Sequence, residues 1–270
     1  MPPAKRFTSL LLRSPSALER SNDFLEPFLH RQQEFTHPAA ALRYHPLLRS
    51  AAHADDLPLP RFTLQLGDPF AAPSWRVGLF TGFRPGEEGV GKALLDWVFG
   101  HQHETEPGHG YEFFAYPASD PQSLHRSSDA EPPHLLADLG HHRRRYPLHL
   151  VERELSIKEF HLVIALVRGE GSSWRASAAG PRWFENIVAE SVAAARRRTD
   201  FPGVPDHSPA LFNHPLTGFS RRLEGKRIQP LEVLFEIPAD AERESPFPLR
   251  AALRHLFDSY RAFYVQRSDI

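Results

Sequence analysis

The sequence predicts an α/β protein, a three-layer α/β/α arrangement around a mixed central sheet, preceded by an N-terminal helical segment. Three observations carry this expectation. Strand-like runs at Tyr111 to Tyr116 (YEFFAY), Leu162 to Val167 (LVIALV) and Leu231 to Ile237 (LEVLFEI) alternate with segments of helical periodicity. The run ending at Phe80 breaks at Arg-Pro-Gly-Glu-Glu-Gly and restarts with Ala93, Leu94, Trp97 and Val98 on one helix face, a strand–turn–helix unit of the kind on which open α/β sheets build their sites. The 270 residues are 41% hydrophobic and 24% charged, close to globular averages, so the chain can bury a sizeable core.

Taken in order, Ser14-Pro15 supplies an N-cap and first-turn pair, and Leu18, Phe24, Leu25, Phe28 and Leu29 follow at helical intervals. Ala39 to Arg49 reads as a second short helix, closed by the Asp-Asp-Leu-Pro-Leu-Pro linker at Asp55 to Pro60. The expected division is therefore a helical segment and linker over 1–60 and an α/β domain over 61–270. Phe62, Leu64 and Leu66 alternate with polar residues and stop at Gly67-Asp68-Pro69, the pattern of a half-buried strand. Arg76 to Phe80 is the next strand, and the three apolar runs named above complete the sheet. Helices are expected at Lys92 to Phe99, Leu148 to Ile157, Arg182 to Arg198 and Leu249 to Tyr264. Pro117 to Tyr146 and Thr199 to Gln229 read as long irregular stretches, which in compact domains are usually functional or disordered.

Charge and cysteine content narrow the chemistry. A formal net charge of -1 gives no basic field for nucleic acid. No cysteine is present, which removes disulfides, thiolate metal sites and cysteine nucleophiles, and leaves His and carboxylates as zinc ligands. The N-terminal sequence lacks an apolar segment of signal length, and no apolar run approaches the roughly 20 residues of a membrane helix. The expectation is a cytoplasmic protein that engages neither membrane nor nucleic acid.

Gly86 to Ala93 (GEEGVGKA) nearly spells a phosphate loop, but Ala93 replaces the hydroxyl residue that binds magnesium, and Glu87 and Glu88 place negative charge where phosphate should sit. Among the 16 histidines, His101, His103, His109, His125, His134, His141 and His142 cluster in or beside the long middle stretch, without the spacing on a helix or strand that marks a metal site. They read mainly as exposed loop residues. Arg143 to Arg145 and Arg196 to Arg198 read as solvated, the latter suited to a helix C-terminus. Ser172, Ser173 and Ser208 lack a nucleophile elbow.

The run WRVGLFTGFRPGEEGVGKALLDWV resembles the first zinc-binding segment of the zinc carboxypeptidase superfamily, including its succinylglutamate desuccinylase and aspartoacylase branch, where a strand ends in Gly-x-His-x-x-Glu before a helix. The resemblance continues in order. Ser119-Asp120-Pro121 stands where an Asn-Pro turn is expected, and Asp138-Leu139-Gly140 where the family has Asp-Leu-Asn before its arginine. ELSIKEFHLVIALV (Glu154 to Val167) resembles the helix and strand that end in the third zinc ligand, and PLEVLFEIP (Pro230 to Pro238) the strand carrying the general-base glutamate. The resemblance spans about residues 61 to 266 in weak motifs whose order and spacing agree.

Carried over by position, the resemblance implies that Glu87 matches the bidentate glutamate ligand and Glu236 the catalytic glutamate. Arg84 stands at the first histidine, Val167 at the second, and Gly140 at the substrate-contacting asparagine; Arg143 to Arg145 lie near the family's substrate arginine. A hydrolytic zinc site needs three protein ligands and an open position, and only Glu87 remains. The leading expectation is thus a catalytically inactive relative that has lost its zinc ligands, needs no cofactor, and binds a small anionic or peptide-like ligand through Arg84. Glu87 and Glu236 would then be vestigial. Two alternatives stand beside it: an active amide hydrolase with zinc held by Glu87 and loop histidines and Glu236 as general base, and a non-catalytic interaction protein whose old pocket is filled by neighbours of Phe83 and Trp97.

Overall fold

The computed structural model describes residues 14–47, 58–67, 75–83, 86–103, 110–119, 146–169, 173–198, 211, 230–238 and 247–268. Seven strands form one sheet: β1 (Ala40–Tyr44), β2 (Phe62–Leu66), β3 (Trp75–Phe80), β4 (Tyr111–Tyr116), β5 (Leu162–Arg168), β6 (Arg175–Ala179) and β7 (Leu231–Ile237), in the order β1-β2-β4-β3-β5-β7-β6. The helices among the described residues are α1 (Ser14–Glu34), α2 (Glu88–Gly100), α3 (Tyr146–Ile157), α4 (Arg182–Arg196) and α5 (Phe247–Ser268), with a 3₁₀ turn at His101–His103.

The inner strands β4, β3, β5 and β7 run parallel, while β2 and β1 on one side and β6 on the other are antiparallel. The parallel strands are mostly apolar because both faces are covered, with Arg76, Glu112, Arg168, Glu232 and Glu236 as charged exceptions. One face packs against α1, α2, α4 and α5, through Phe28, Leu94, Val188 and Leu253 among others; the opposite face packs against α3 through Leu150, Val151 and Leu155. This is the three-layer mixed α/β fold expected from the sequence, with the N-terminal helix in place.

Two segments differ from the sequence reading. Ala40–Tyr44, expected as helix, is the edge strand β1, paired to β2 from Ala40↔Leu66 to Tyr44↔Phe62. Arg175–Ala179, for which no strand was expected, closes the other edge as β6. Both are alanine-rich and lack β-branched residues, so local propensity does not announce a strand and pairing to a neighbour decides. His101 also departs from its expected exposure. It is buried and packs edge-on to Trp97 at 4.7 Å between ring centroids, with His103 exposed beside it. The other clustered histidines lie outside the described residues, as do Asp120 and Pro121, Asp138 to Gly140, Arg143 to Arg145, Ser172 and Ser208.

Candidate functional site at the carboxyl edge of the parallel strands

The four parallel strands end on one edge of the sheet, where α/β proteins place ligands. Thr81, just past β3, donates its N–H to the Tyr116 carbonyl at 3.1 Å and accepts one from Ser119 at 2.7 Å, which joins the turns after β3 and β4. Gly82 follows with φ +72°, and a Cβ there would stand 2.7 Å from the Ala118 Cα, so no larger residue fits the crossing. The chain then reaches Phe83, the segment of Arg84 and Pro85, which lies outside the described residues, and Gly86 at φ +78°.

Glu87 ends this turn and precedes α2 with its side chain fully inside; the residue is 1% exposed. Its two oxygens point to backbone donors from two elements. Oε2 accepts the Phe83 N–H at 2.9 Å, and Oε1 accepts the N–H of Arg168, the last residue of β5, at 3.1 Å. Arg168 reaches back from its exposed side chain to the Gly86 carbonyl at 3.4 Å. A carboxylate accepting charge-assisted bonds stabilises by about 1.5 to 3 kcal/mol for each. Glu87 therefore ties the turn after β3 to the end of β5.

Val167 is buried in the apolar cluster beneath α3, which also holds Phe80, Phe83 and Leu150. Its register partner on β7 is Glu236, and Glu236 is in turn the partner of Arg175 on β6. The Arg175 guanidinium donates to Glu236 Oε2 in a short ion pair. Gly169 leaves room for this side chain, since a Cβ there would come within 3.3 Å of the Glu236 Cβ. The structure thus brings Glu87, Val167 and Glu236 together across the ends of β3, β5 and β7. Arg84 follows Phe83 in the chain and belongs to the segment outside the described residues.

Arg168 and Arg175 were not singled out by the sequence. Arg175 sits on a strand that the sequence pattern does not reveal, and Arg168 stands just beyond the apolar run expected over Leu162 to Val167. A third polar group lies nearby on the α3 side. Glu154 on α3 is 6% exposed and its Oε2 accepts both the Tyr116 hydroxyl and an Arg61 Nη1 hydrogen, each at 2.6 Å. Burial, followed by the charge of Glu154, raises the Tyr116 phenol well above its ordinary range, so it stays a donor.

Two of the three glycines of the phosphate-loop-like run, Gly86 and Gly91, have structural reasons. Gly86 takes the left-handed turn, and a Cβ at Gly91 would stand 2.5 Å from the Pro117 carbonyl oxygen, so Gly91 lets α2 lie against the turn after β4. Phe83 and Trp97, whose neighbours would fill one pocket under the interaction-protein alternative, belong to separate core clusters.

No protein-family model matches the chain, and no curated protein matches its sequence. Solved structures do. A metallo-carboxypeptidase from Burkholderia cenocepacia superposes with a TM-score of 0.56 at 16% identity, covering 91% of this chain and 69% of that one. A metallo-carboxypeptidase from Pseudomonas aeruginosa, in complex with (2-guanidinoethylmercapto)succinic acid, gives 0.53 at 14% identity and covers 89% and 66%. A Shewanella denitrificans protein provisionally assigned as a metallopeptidase gives 0.52 at 12% identity over 91% and 90%. At these identities the likeness establishes the fold alone: this chain has the mixed α/β architecture of the metallo-carboxypeptidases on which it superposes.

Zinc in such a site takes its ligands from three protein side chains, usually His and carboxylate. The described residues do not match that demand. Glu87 turns both oxygens to backbone N–H groups, Val167 offers only methyl groups, Glu236 is paired with Arg175, and no set of three or more His, Asp or Glu among the described residues is close enough to share an ion.

Proposed function

We propose that this chain is a non-hydrolytic binding protein built on the carboxypeptidase fold, which holds a small carboxylate or peptide-like ligand at the edge formed by the ends of β3, β5 and β7. The observation that carries the reading is the Glu87 clamp. The one carboxylate retained at a zinc-ligand position is bound to the Phe83 and Arg168 amides, where it serves the fold.

Arg84 is assigned the role of anchor. It stands in sequence directly after Phe83, whose amide the clamp fixes, and a guanidinium stays charged and presents paired donors that match a carboxylate. An arginine there also repels a divalent cation. The ligand class agrees with the dicarboxylate (2-guanidinoethylmercapto)succinic acid held by the Pseudomonas aeruginosa protein. Glu236 is assigned no proton transfer in this reading, its Oε2 being taken by Arg175.

The test has two parts. Metal content of purified protein, with and without added zinc, is measured for the wild type and for an Arg84→His, Val167→His double variant. Titration calorimetry then follows (2-guanidinoethylmercapto)succinic acid into the wild type and Arg84→Ala. The expected result is zinc in the double variant alone, and a wild-type affinity reduced at least about ten-fold in Arg84→Ala, the scale of one lost charge-assisted pair. Stoichiometric zinc in the wild type, with amide hydrolysis that chelators abolish and Glu236→Gln removes, would replace this reading by that of an active metallohydrolase.

A further inference from the structure

Tyr116, Glu154 and Arg61 form a buried polar group beside the apolar cluster between α3 and the sheet. Tyr116 is fully buried, Glu154 is 6% exposed and the Arg61 side chain 13%. The phenol comes from the last residue of β4 and the guanidinium from the residue before β2, and both donate to one oxygen of Glu154 on α3. The apolar contacts of the same helix come from Leu150, Val151 and Leu155.

Stability is a poor reason for such a group. A buried ion pair loses hydration that its mutual attraction scarcely returns, and apolar residues of similar volume often serve a fold equally well. What the polar group adds is direction. Aliphatic side chains tolerate a helix that slides over a sheet, whereas two hydrogen bonds converging on one oxygen define a single docked position.

That position reaches the ends of the strands. The Tyr116 ring, held at its hydroxyl by α3, stacks on Phe80 with centroids 4.5 Å apart and planes 2° from parallel. The Tyr116 carbonyl accepts the Thr81 N–H at 3.1 Å, so one residue holds two successive residues at the end of β3. Two positions on is Phe83, whose side chain shares the cluster of Leu150 and Val151 and whose N–H is one of the two that Glu87 accepts. Gly82 between them lies so close to the Ala118 backbone that the link has little room to absorb a shift. The contacts therefore run without a break from Glu154 to Tyr116, from Tyr116 to Phe80 and Thr81, and on to Phe83.

From this arrangement we propose that Tyr116 and Glu154 are positioning residues for the ligand edge. By fixing α3 over the sheet they fix the Phe83 amide, and with it the start of the segment that carries Arg84. What the positioning serves rests on the ligand site proposed above, while the coupling of α3 to the Glu87 clamp is a property of the chain that needs no ligand.

The experiment compares wild type, Tyr116→Phe, Glu154→Gln and Val188→Ala, the last a buried truncation in the other core cluster that lowers stability away from these contacts. Amide hydrogen exchange is followed by nuclear magnetic resonance at Phe83 and at Ile164, an inner residue of β5. In Tyr116→Phe and Glu154→Gln the Phe83 amide should accelerate at least about three-fold more than that of Ile164, with no such excess in Val188→Ala. Titration calorimetry with (2-guanidinoethylmercapto)succinic acid should show affinity lowered at least about three-fold in the same two variants and unchanged in Val188→Ala. Acceleration in step at the two amides, or wild-type affinity in both positioning variants, would overturn the proposal. Failure of the wild type to bind the probe would instead remove the ligand reading of the edge, and the Phe83 excess alone would then decide whether α3 positions the clamp.

Discussion

Replacing Glu87 by Gln discriminates a structural clamp from a ligand held ready for a cation. The amide keeps one acceptor oxygen and presents NH₂ to the other donor, so one of the two bonds to the Phe83 and Arg168 amides is lost and the survivor loses its charge assistance. The lost bond is worth about 1.5 to 3 kcal/mol and the weakening about 1 kcal/mol, partly offset by relief of a buried charge; about 3 kcal/mol of destabilisation is expected. With an unfolding entropy of about 2.1 cal/mol/K per residue, the chain should melt about 5 °C lower. Glu87→Ala, which leaves both amides without this acceptor, should cost about 4 kcal/mol or more. The assay is urea unfolding of chelator-treated protein followed by circular dichroism, with the slope required to stay constant. A carboxylate poised for a metal is a buried charge awaiting its partner, and its neutralisation stabilises the metal-free protein. Equal or greater stability of Glu87→Gln would therefore refute the clamp.

Three further outcomes follow from other parts of the structure. Tyr116→Phe should cost about 1 to 2 kcal/mol, and Glu154→Ala about 3 kcal/mol because it removes the partner of the part-buried Arg61 charge; urea unfolding of both variants measures the difference. Burial, and secondarily Arg76, lowers the His161 pKa below 6.5, and its Nδ1 accepts the Arg76 N–H at 3.1 Å in the neutral form. The unfolded chain therefore binds the extra proton more readily. The stability this residue contributes is complete above the unfolded value of about 6.5 and declines as pH falls from there towards the folded value, and melting curves of His161→Asn should show a smaller drop over that window. Gly82→Ala should lose at least about 2 kcal/mol in thermal melts, since φ is +72° and the Cβ would stand 2.7 Å from Ala118.

The fold was legible where burial on both faces forces a continuous apolar run. YEFFAY and LVIALV cannot be solvated on either side, and both became inner parallel strands. AALRY and RASAA were not legible as strands. Alanine suits a helix as well, and each segment becomes extended only because β2 or β7 offers a free edge. The site followed the same division. Segment order singled out Glu87, Val167 and Glu236, and the register of β5 against β7 puts the last two side by side. What the side chains do there depended on partners distant in sequence. Arg175 lies on the unrecognised strand, and the Arg168 amide, 81 positions from Glu87, has no side-chain signature at all.

The clamp also bears on how readily a metal site could be built at this edge. Histidines at positions 84 and 167 would supply two nitrogen ligands, but the third ligand, Glu87, must first give up at least one of its backbone amides. If that release costs about 3 kcal/mol, it appears as a loss of roughly a hundred-fold in zinc affinity relative to a site whose glutamate is already free. Zinc binding to the Arg84→His, Val167→His variant should therefore expose the Phe83 or Arg168 amide to faster hydrogen exchange, although metal binding ordinarily slows exchange around its ligands. Amide exchange measured by nuclear magnetic resonance, with and without zinc, reads this directly. Slower exchange at both amides on zinc addition would mean that Glu87 can serve the ion and the fold together, and the argument that its clamp excludes the metal would fail.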